Sequence, residues 1–198
     1  MPAPGRIVFV VGPSGAGKDS LLRYAATRLA DDPRFVFPRR VITRRPVPEA
    51  ENHDSMTPEE FLWTVREGGF ALFWQAHGLH YGIPIAMDDD LASGRTVAIN
   101  VSRNVLAVAV ERYPHHLIAS IEAPAGVLAK RLAQRGREGT SDIGERLARR
   151  ATALPSGAHV ATLVNDATLE SAGERFVMLL SATQAEDHRR DGARQEPG

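Results

Sequence analysis

Apolar positions along this 198-residue chain fall into short continuous runs that alternate with stretches of helical spacing. The first run, Ile7-Val8-Phe9-Val10-Val11, has no polar interruption and predicts a strand covered on both faces. Leu21, Leu22, Ala25, Ala26 and Leu29 then recur at helical spacing until Asp31-Asp32-Pro33 ends the pattern. Phe35-Val36-Phe37 and Val41-Ile42-Thr43 are strand-like, and 47–55 is a Pro- and acid-rich loop. Thr57-Pro58-Glu59-Glu60 announces a helix, with Thr as cap, Pro at the first helical position and Glu at the third, and Gly68-Gly69 stops it. Residues 70–74 predict a strand, and Gly78-Leu79-His80-Tyr81-Gly82 a turn. Beyond it the pattern predicts a helix near 85–92, a strand at 96–101, a helix at 105–112 and a strand at 117–121. Pro124 opens a helix through Val127, Leu128 and Leu132, and a further helix follows at 143–153. A last strand at 160–164 and a closing helix at 169–180 complete the set.

Strands alternating with helices imply an α/β fold: a mostly parallel sheet flanked by helices on both faces. The length suits one domain, 1–182, with no internal repeat. Two departures stand inside it. Residues 35–83 form a small β-rich insertion of the kind that makes a substrate-binding flap, and 136–142 is polar and glycine-bearing, as a lid would be. From 183 to 198 the chain is polar and is expected to be a disordered tail.

Composition narrows the classes of partner. The formal net charge is zero, so no overall field draws the chain to nucleic acid or an anionic membrane, and neither is expected as a partner. Anion recognition must be local. Cysteine is absent, which removes disulfides, thiolate metal sites and a cysteine nucleophile, and fits a cytoplasmic protein. The start lacks basic residues, and the apolar run behind it is too short for a signal peptide or a membrane span. Oligomeric state is left open, a homo-oligomer included.

Between the first strand and the first helix stand Gly12, Pro13, Ser14, Gly15, Ala16, Gly17, Lys18, Asp19 and Ser20. Glycines at this spacing let the backbone curl so that its N–H groups and the helix N-terminus cradle phosphate oxygens, while the lysine reaches the β/γ-phosphates. With only Lys18 and Lys130 as lysines, a chance match is rare, and the loop implies a bound nucleotide with Mg²⁺. The position after the lysine ordinarily carries Ser or Thr, whose hydroxyl ligates Mg²⁺. Here it is Asp19. A carboxylate is also a hard oxygen ligand and could meet the ion directly or through water. The alternative is that Asp19 only favours the helix N-terminus by its charge.

Four arginines, Arg39, Arg40, Arg44 and Arg45, lie within seven residues of the insertion, and Arg103 follows a strand. They are candidates for an anionic acceptor, and Tyr81 is a further substrate-binding candidate. Arg131, Arg135, Arg137 and Arg146, with Lys18, are candidates for the transferring group, although arginines so spaced could equally be a solvated helix face. His77 and His80 read as turn surface rather than as metal ligands. Two function classes stay open: a kinase, and a non-catalytic module that binds a partner protein. The intact Gly17-Lys18 favours the kinase.

Gly12–Lys18, Thr43-Arg44, the 57–69 helix, Tyr81-Gly82, Arg131 to Arg150 and Val164-Asn165-Asp166 together resemble the guanylate kinase-like group of P-loop kinases, over nearly the whole chain to about residue 181. Three positions depart from guanine recognition and phosphate clamping in that group: Phe73 where a Glu stands before Trp, Asn100 for an acidic residue, and Val47 for a second arginine. With Gly-Lys-Asp-Ser, Arg39-Arg40-Val41-Ile42-Thr43-Arg44, Ala76-His77-Gly78-Leu79-His80-Tyr81-Gly82-Ile83-Pro84 and Asn100-Val101-Ser102-Arg103, the chain is most similar to the ribose 1,5-bisphosphate phosphokinase family of phosphonate degradation. The resemblance implies a P-loop NTPase fold and transfer of the γ-phosphoryl group of ATP to the 1-phosphate of ribose 1,5-bisphosphate. The sugar phosphate would then be the partner, and nucleoside monophosphate phosphorylation the runner-up.

Overall fold

A computed structural model describes residues 5–44, 53–134 and 153–192. The expected lid at 136–142, Arg45, Val47, Arg135, Arg137, Arg146 and all but the last residue of the expected 143–153 helix lie outside the described residues.

Among the described residues five strands make the main sheet: β1 (Ile7–Val11), β2 (Phe35–Val36), β7 (Thr96–Asn100), β8 (His116–Glu122) and β9 (Val160–Val164). Their order is β2-β7-β1-β8-β9 and every neighbouring pair is parallel. Parallel pairing demands crossovers, and helices supply them, so both faces are covered. The central strand β1 is fully buried along its length, as its unbroken apolar run requires. Its alternation divides the core. Val8 and Val10 pack with Leu21 and Ala25 of α1 (Lys18–Arg28), Leu128 of α5 (Ala125–Gln134) and Ala172 and Phe176 of α6 (Leu169–Gly192). Ile7, Phe9 and Val11 face Met87 of α3 (Met87–Ala92) and Leu106 and Ala109 of α4 (Leu106–Arg112). Each such large side chain taken from water contributes about 1.5–3 kcal/mol, which fixes the strand order around the phosphate loop.

The insertion is a second sheet, in the order β4-β3-β6-β5, from β3 (Arg40–Ile42), β4 (His53–Ser55), β5 (Phe70–Ala76) and β6 (Leu79–Pro84). One face is covered by α2 (Pro58–Arg66), whose Phe61 stacks on Phe70 with ring centroids 4.6 Å apart. The expected capping box is present: Thr57 accepts from the Glu60 N–H and the Glu60 carboxylate accepts from the Thr57 N–H. The other face meets the main core through Ala71, Leu72 and Ile83.

Four boundaries differ from the sequence reading. Phe35-Val36 pairs with β7 and belongs to the main sheet, because Phe35 is buried in the core; the insertion begins after it. The stretch 78–82, expected as a turn, is mostly strand. The turn itself is His77-Gly78, with φ of 52° and 70°, a two-residue hairpin loop whose twist matches the strands. Gly82 had looked like turn chemistry, but the Phe70 ring lies against its Cα, where a Cβ would come within 2.6 Å of ring carbons. His53–Ser55, expected as loop, pairs parallel with β3. The closing helix continues to Gly192 instead of ending near 180, into the stretch expected as tail. Thr183 is buried there and its hydroxyl donates to the Leu179 carbonyl at 2.7 Å.

Candidate active site

The loop that joins β1 to α1 takes positive φ at Gly12, Gly15 and Gly17, 150°, 82° and 92°. Gly17 is the residue that caps α1, in the left-handed region, so the helix begins at Lys18 with its N-terminus open to the loop. The Ala16 N–H donates to the Pro13 carbonyl at 3.2 Å, closing the curl. Asn165, just past β9, braces it from below. Its backbone N–H donates to the Glu122 carbonyl at 2.7 Å, and its side-chain amide donates to the Ala16 carbonyl at 2.7 Å. A Cβ on Gly17 would collide with that same amide nitrogen. Asn165 is 3% exposed, and its Oδ1 has no hydrogen-bond partner among the described residues.

Lys18 turns its ammonium back over the loop, donating to the Gly12 carbonyl at 2.8 Å and the Pro13 carbonyl at 3.1 Å. The charge therefore sits on the cradle. Arg131, from α5, brings Nη1 to 3.5 Å from the Gly15 carbonyl, so one arginine of the transferring-group set stands beside the loop.

Asp19 is the hub on the other side. Its carboxylate accepts from Asn100 Nδ2 at 2.7 Å, and Arg40 Nη2 lies 3.2 and 3.4 Å from its two oxygens. Asn100 ends β7, whose register beside β1 pairs Val10 with Asn100 and so brings the strand end to the loop. Arg40 comes from the insertion. Its guanidinium stands 5.9 Å from the centre of the Tyr81 ring, which stacks on Trp74 at 5.4 Å with a 6° tilt. Asp19, Arg40, Asn100, Leu22, Phe37 and Ile83 line a small open cleft between the two sheets. Ser14 is exposed at the loop tip, and Ser20 is half-buried in the first turn of α1.

The remaining arginine candidates for the acceptor do not line that cleft. Arg39 donates to the His53 carbonyl at 2.9 Å and pairs with Asp54 at 3.1 Å, both on its own sheet. Arg44 is half-buried at the end of the described stretch after β3, and Arg103 is half-buried in the short turn Arg103–Val105 after β7. Phe73 is half-exposed on the insertion sheet. It pairs with Gly82, and Gly82 with Val41, in the row turned to α2, whereas Trp74 and Tyr81 occupy the alternate row with Arg40.

A Mg²⁺ ion fits this donor set. Asp19 offers a half-exposed hard oxygen ligand directly after Lys18, and the described residues hold no cluster of three or more His, Asp or Glu that could cage a metal alone. One carboxylate with substrate phosphates and water is the usual way proteins hold this ion.

No family model matches the chain. A ribose 1,5-bisphosphate phosphokinase of Acidiphilium cryptum is 51% identical over 180 residues, 91% of this chain and 94% of the relative. The chain belongs to the ribose 1,5-bisphosphate phosphokinase family. A bifunctional ribose 1,5-bisphosphokinase-thymidine phosphorylase of Azorhizobium caulinodans is 42% identical over 181 residues, 91% of this chain but 26% of that longer relative. Among solved structures, guanylate kinase from Anaplasma phagocytophilum superposes with a TM-score of 0.68 over 92% of this chain and 88% of its own. At 17% identity that likeness establishes the P-loop kinase fold.

In this ribose 1,5-bisphosphate phosphokinase family member, two residues matter more than their sequence suggests. Asn165 entered the sequence reading only within Val164-Asn165-Asp166, as part of the resemblance, with no role attached to its side chain. Asn100 drew notice as a lost acidic residue, but its partner, 81 positions away, could not be inferred without the β1–β7 register.

Proposed function

We propose that the chain transfers the γ-phosphoryl group of ATP to the 1-phosphate of ribose 1,5-bisphosphate, forming 5-phosphoribosyl 1-diphosphate and ADP. The observation that carries it is Arg40 of the insertion meeting Asp19 beside Lys18, which puts a guanidinium where an anionic acceptor would face the transferring group. The curated relatives bear the name of this activity. No carboxylate stands on β5 or β6, and Arg40 of the cleft has the stacked Tyr81 and Trp74 rings beside it instead of a base-reading acid.

An oxygen of the acceptor 1-phosphate attacks Pγ, the bond from Pγ to the β–γ bridging oxygen breaks, and the electron pair leaves with ADP. That acceptor oxygen is anionic at neutral pH, so no side chain need remove a proton, and positioning with charge stabilisation suffices. Lys18 and Arg131 hold the transferring phosphate, joined by Arg135, Arg137 and Arg146. Arg40, with Arg44, Arg103 and Tyr81, receives the sugar phosphate, while Arg39 stays paired with Asp54 and the His53 carbonyl within the insertion. Asp19 holds Mg²⁺, directly or through water, and the ion when bound neutralises phosphate charge. Gly12 to Ser20 hold the ATP phosphates.

The test is product analysis with ATP and matched concentrations of ribose 1,5-bisphosphate or GMP. The 1-diphosphate should form readily and GDP weakly or not at all. Preferential GDP formation would overturn the acceptor and leave the kinase fold standing.

A further inference from the structure

Asp19 and Asn100 together reverse an ordinary division of labour. Phosphate-loop enzymes commonly hold Mg²⁺ with a hydroxyl after the loop lysine and an aspartate at the end of a neighbouring strand. Here the carboxylate stands after the lysine, and the strand end carries the amide. The two groups touch: Asn100 Nδ2 donates to Asp19 Oδ1 at 2.7 Å. Asn100 is 8% exposed, while the Asp19 side chain is 54% exposed. A carboxylate at both positions would place like charges in contact, and an ionised group at the strand end would lose most of its water.

We propose that charge and amide have exchanged places, and that Asn100 is a positioning residue that holds the Asp19 carboxylate toward the magnesium–nucleotide complex. The inference rests on the reading that Asp19 serves Mg²⁺. An amide donor suits the role, because it orients an ionised carboxylate without competing for the cation. Arg40, on the same carboxylate, comes from the insertion, whereas Asn100 is fixed in the core sheet beside the phosphate loop. The strand end therefore supplies the half of the support that belongs to the core sheet.

The test is the isosteric exchange Asp19→Asn with Asn100→Asp. Calorimetry gives the dissociation constant of a non-hydrolysable ATP analogue with and without Mg²⁺, and the ratio measures what the ion adds. Asp19→Asn alone should shrink that ratio about 10–100-fold, the range seen when groups supporting a metal are lost. Adding Asn100→Asp should restore most of it, since the charge returns at the other position. A double variant no better than Asp19→Asn overturns the exchange while leaving the role of Asp19 intact. An unchanged ratio in Asp19→Asn overturns both. Should the double variant fail to melt cooperatively, Asn100→Ala decides: a ratio reduced less than in Asp19→Asn supports positioning, and an unchanged ratio overturns it.

Discussion

Lys18 donates to the carbonyls of Gly12 and Pro13, so its ammonium already stands over the cradle that phosphate oxygens would fill. A cation held in place before the substrate arrives is the kind of group whose stabilisation grows as charge shifts in the transition state. Lys18→Ala should lower turnover about 10²–10³-fold with the thermal midpoint little changed, as a coupled assay of ADP release beside a melting curve will show. Gly17 tests the backbone instead. Its φ of 92° and the Asn165 amide against its Cα leave no room for a Cβ. Gly17→Ala should weaken nucleotide binding and lower the melting temperature together, because the loop must shift and Asn165 must give up the Ala16 carbonyl. Normal affinity in that variant would contradict the packing described. The loop motif was legible in the sequence because its chemistry is local. Asn165 was not, because its contact with Ala16 spans 149 positions.

At the scale of elements, α1 is clamped from outside by α6. The Tyr24 hydroxyl donates to Glu174 Oε1 at 2.7 Å and Arg28 Nε to the same oxygen at 2.8 Å, while the Tyr24 ring lies where a Cβ on Gly173 would stand. The hydrogen bonds from Tyr24 and then Arg28 hold the Glu174 carboxyl below its ordinary range, and the same bond raises Tyr24. A carboxylate lowered in the folded state contributes stability that is present above its unfolded pKa and lost as pH falls through the lowered value. Glu174→Gln should therefore reduce the melting temperature at neutral pH, and the gap to the parent should narrow as the solution is acidified below the carboxylate range. A constant gap across that range would show that the charge of Glu174 plays no part. The helix itself was readable from its spacing up to about residue 180. Its continuation to Gly192 was not, since polar helix formers without an apolar stripe read equally as tail. The β5–β6 hairpin was misread as strand and turn for a related reason: glycine at 82 signals a turn locally, and only the Phe70 ring explains it as strand.

The whole molecule carries no formal net charge, so a doubly phosphorylated acceptor feels no long-range pull and depends on cations near the cleft. The insertion presents Arg39 and Arg40 side by side in sequence, but their surroundings differ. Arg39 is spent on the His53 carbonyl and Asp54 within its own sheet, whereas Arg40 reaches across to Asp19 on α1 and joins the two sheets at the cleft. Sequence alone could list these arginines and could not rank them, because only the fold brings Arg40 to Asp19 and Arg39 to Asp54. The ranking has a measurable consequence. Charge attraction near the surface is screened over about 8–10 Å at 0.10–0.15 M salt, so the KM for the acceptor should rise with added salt in the parent protein. Arg40→Ala should raise that KM at low salt and flatten its salt dependence, since the screened attraction is gone. Arg39→Ala should leave both close to the parent. Steady-state kinetics with ribose 1,5-bisphosphate across a salt series measures the two variants on one scale. Equal flattening by both would mean that Arg39 leaves Asp54 when the acceptor binds and that the insertion rearranges around its ligand.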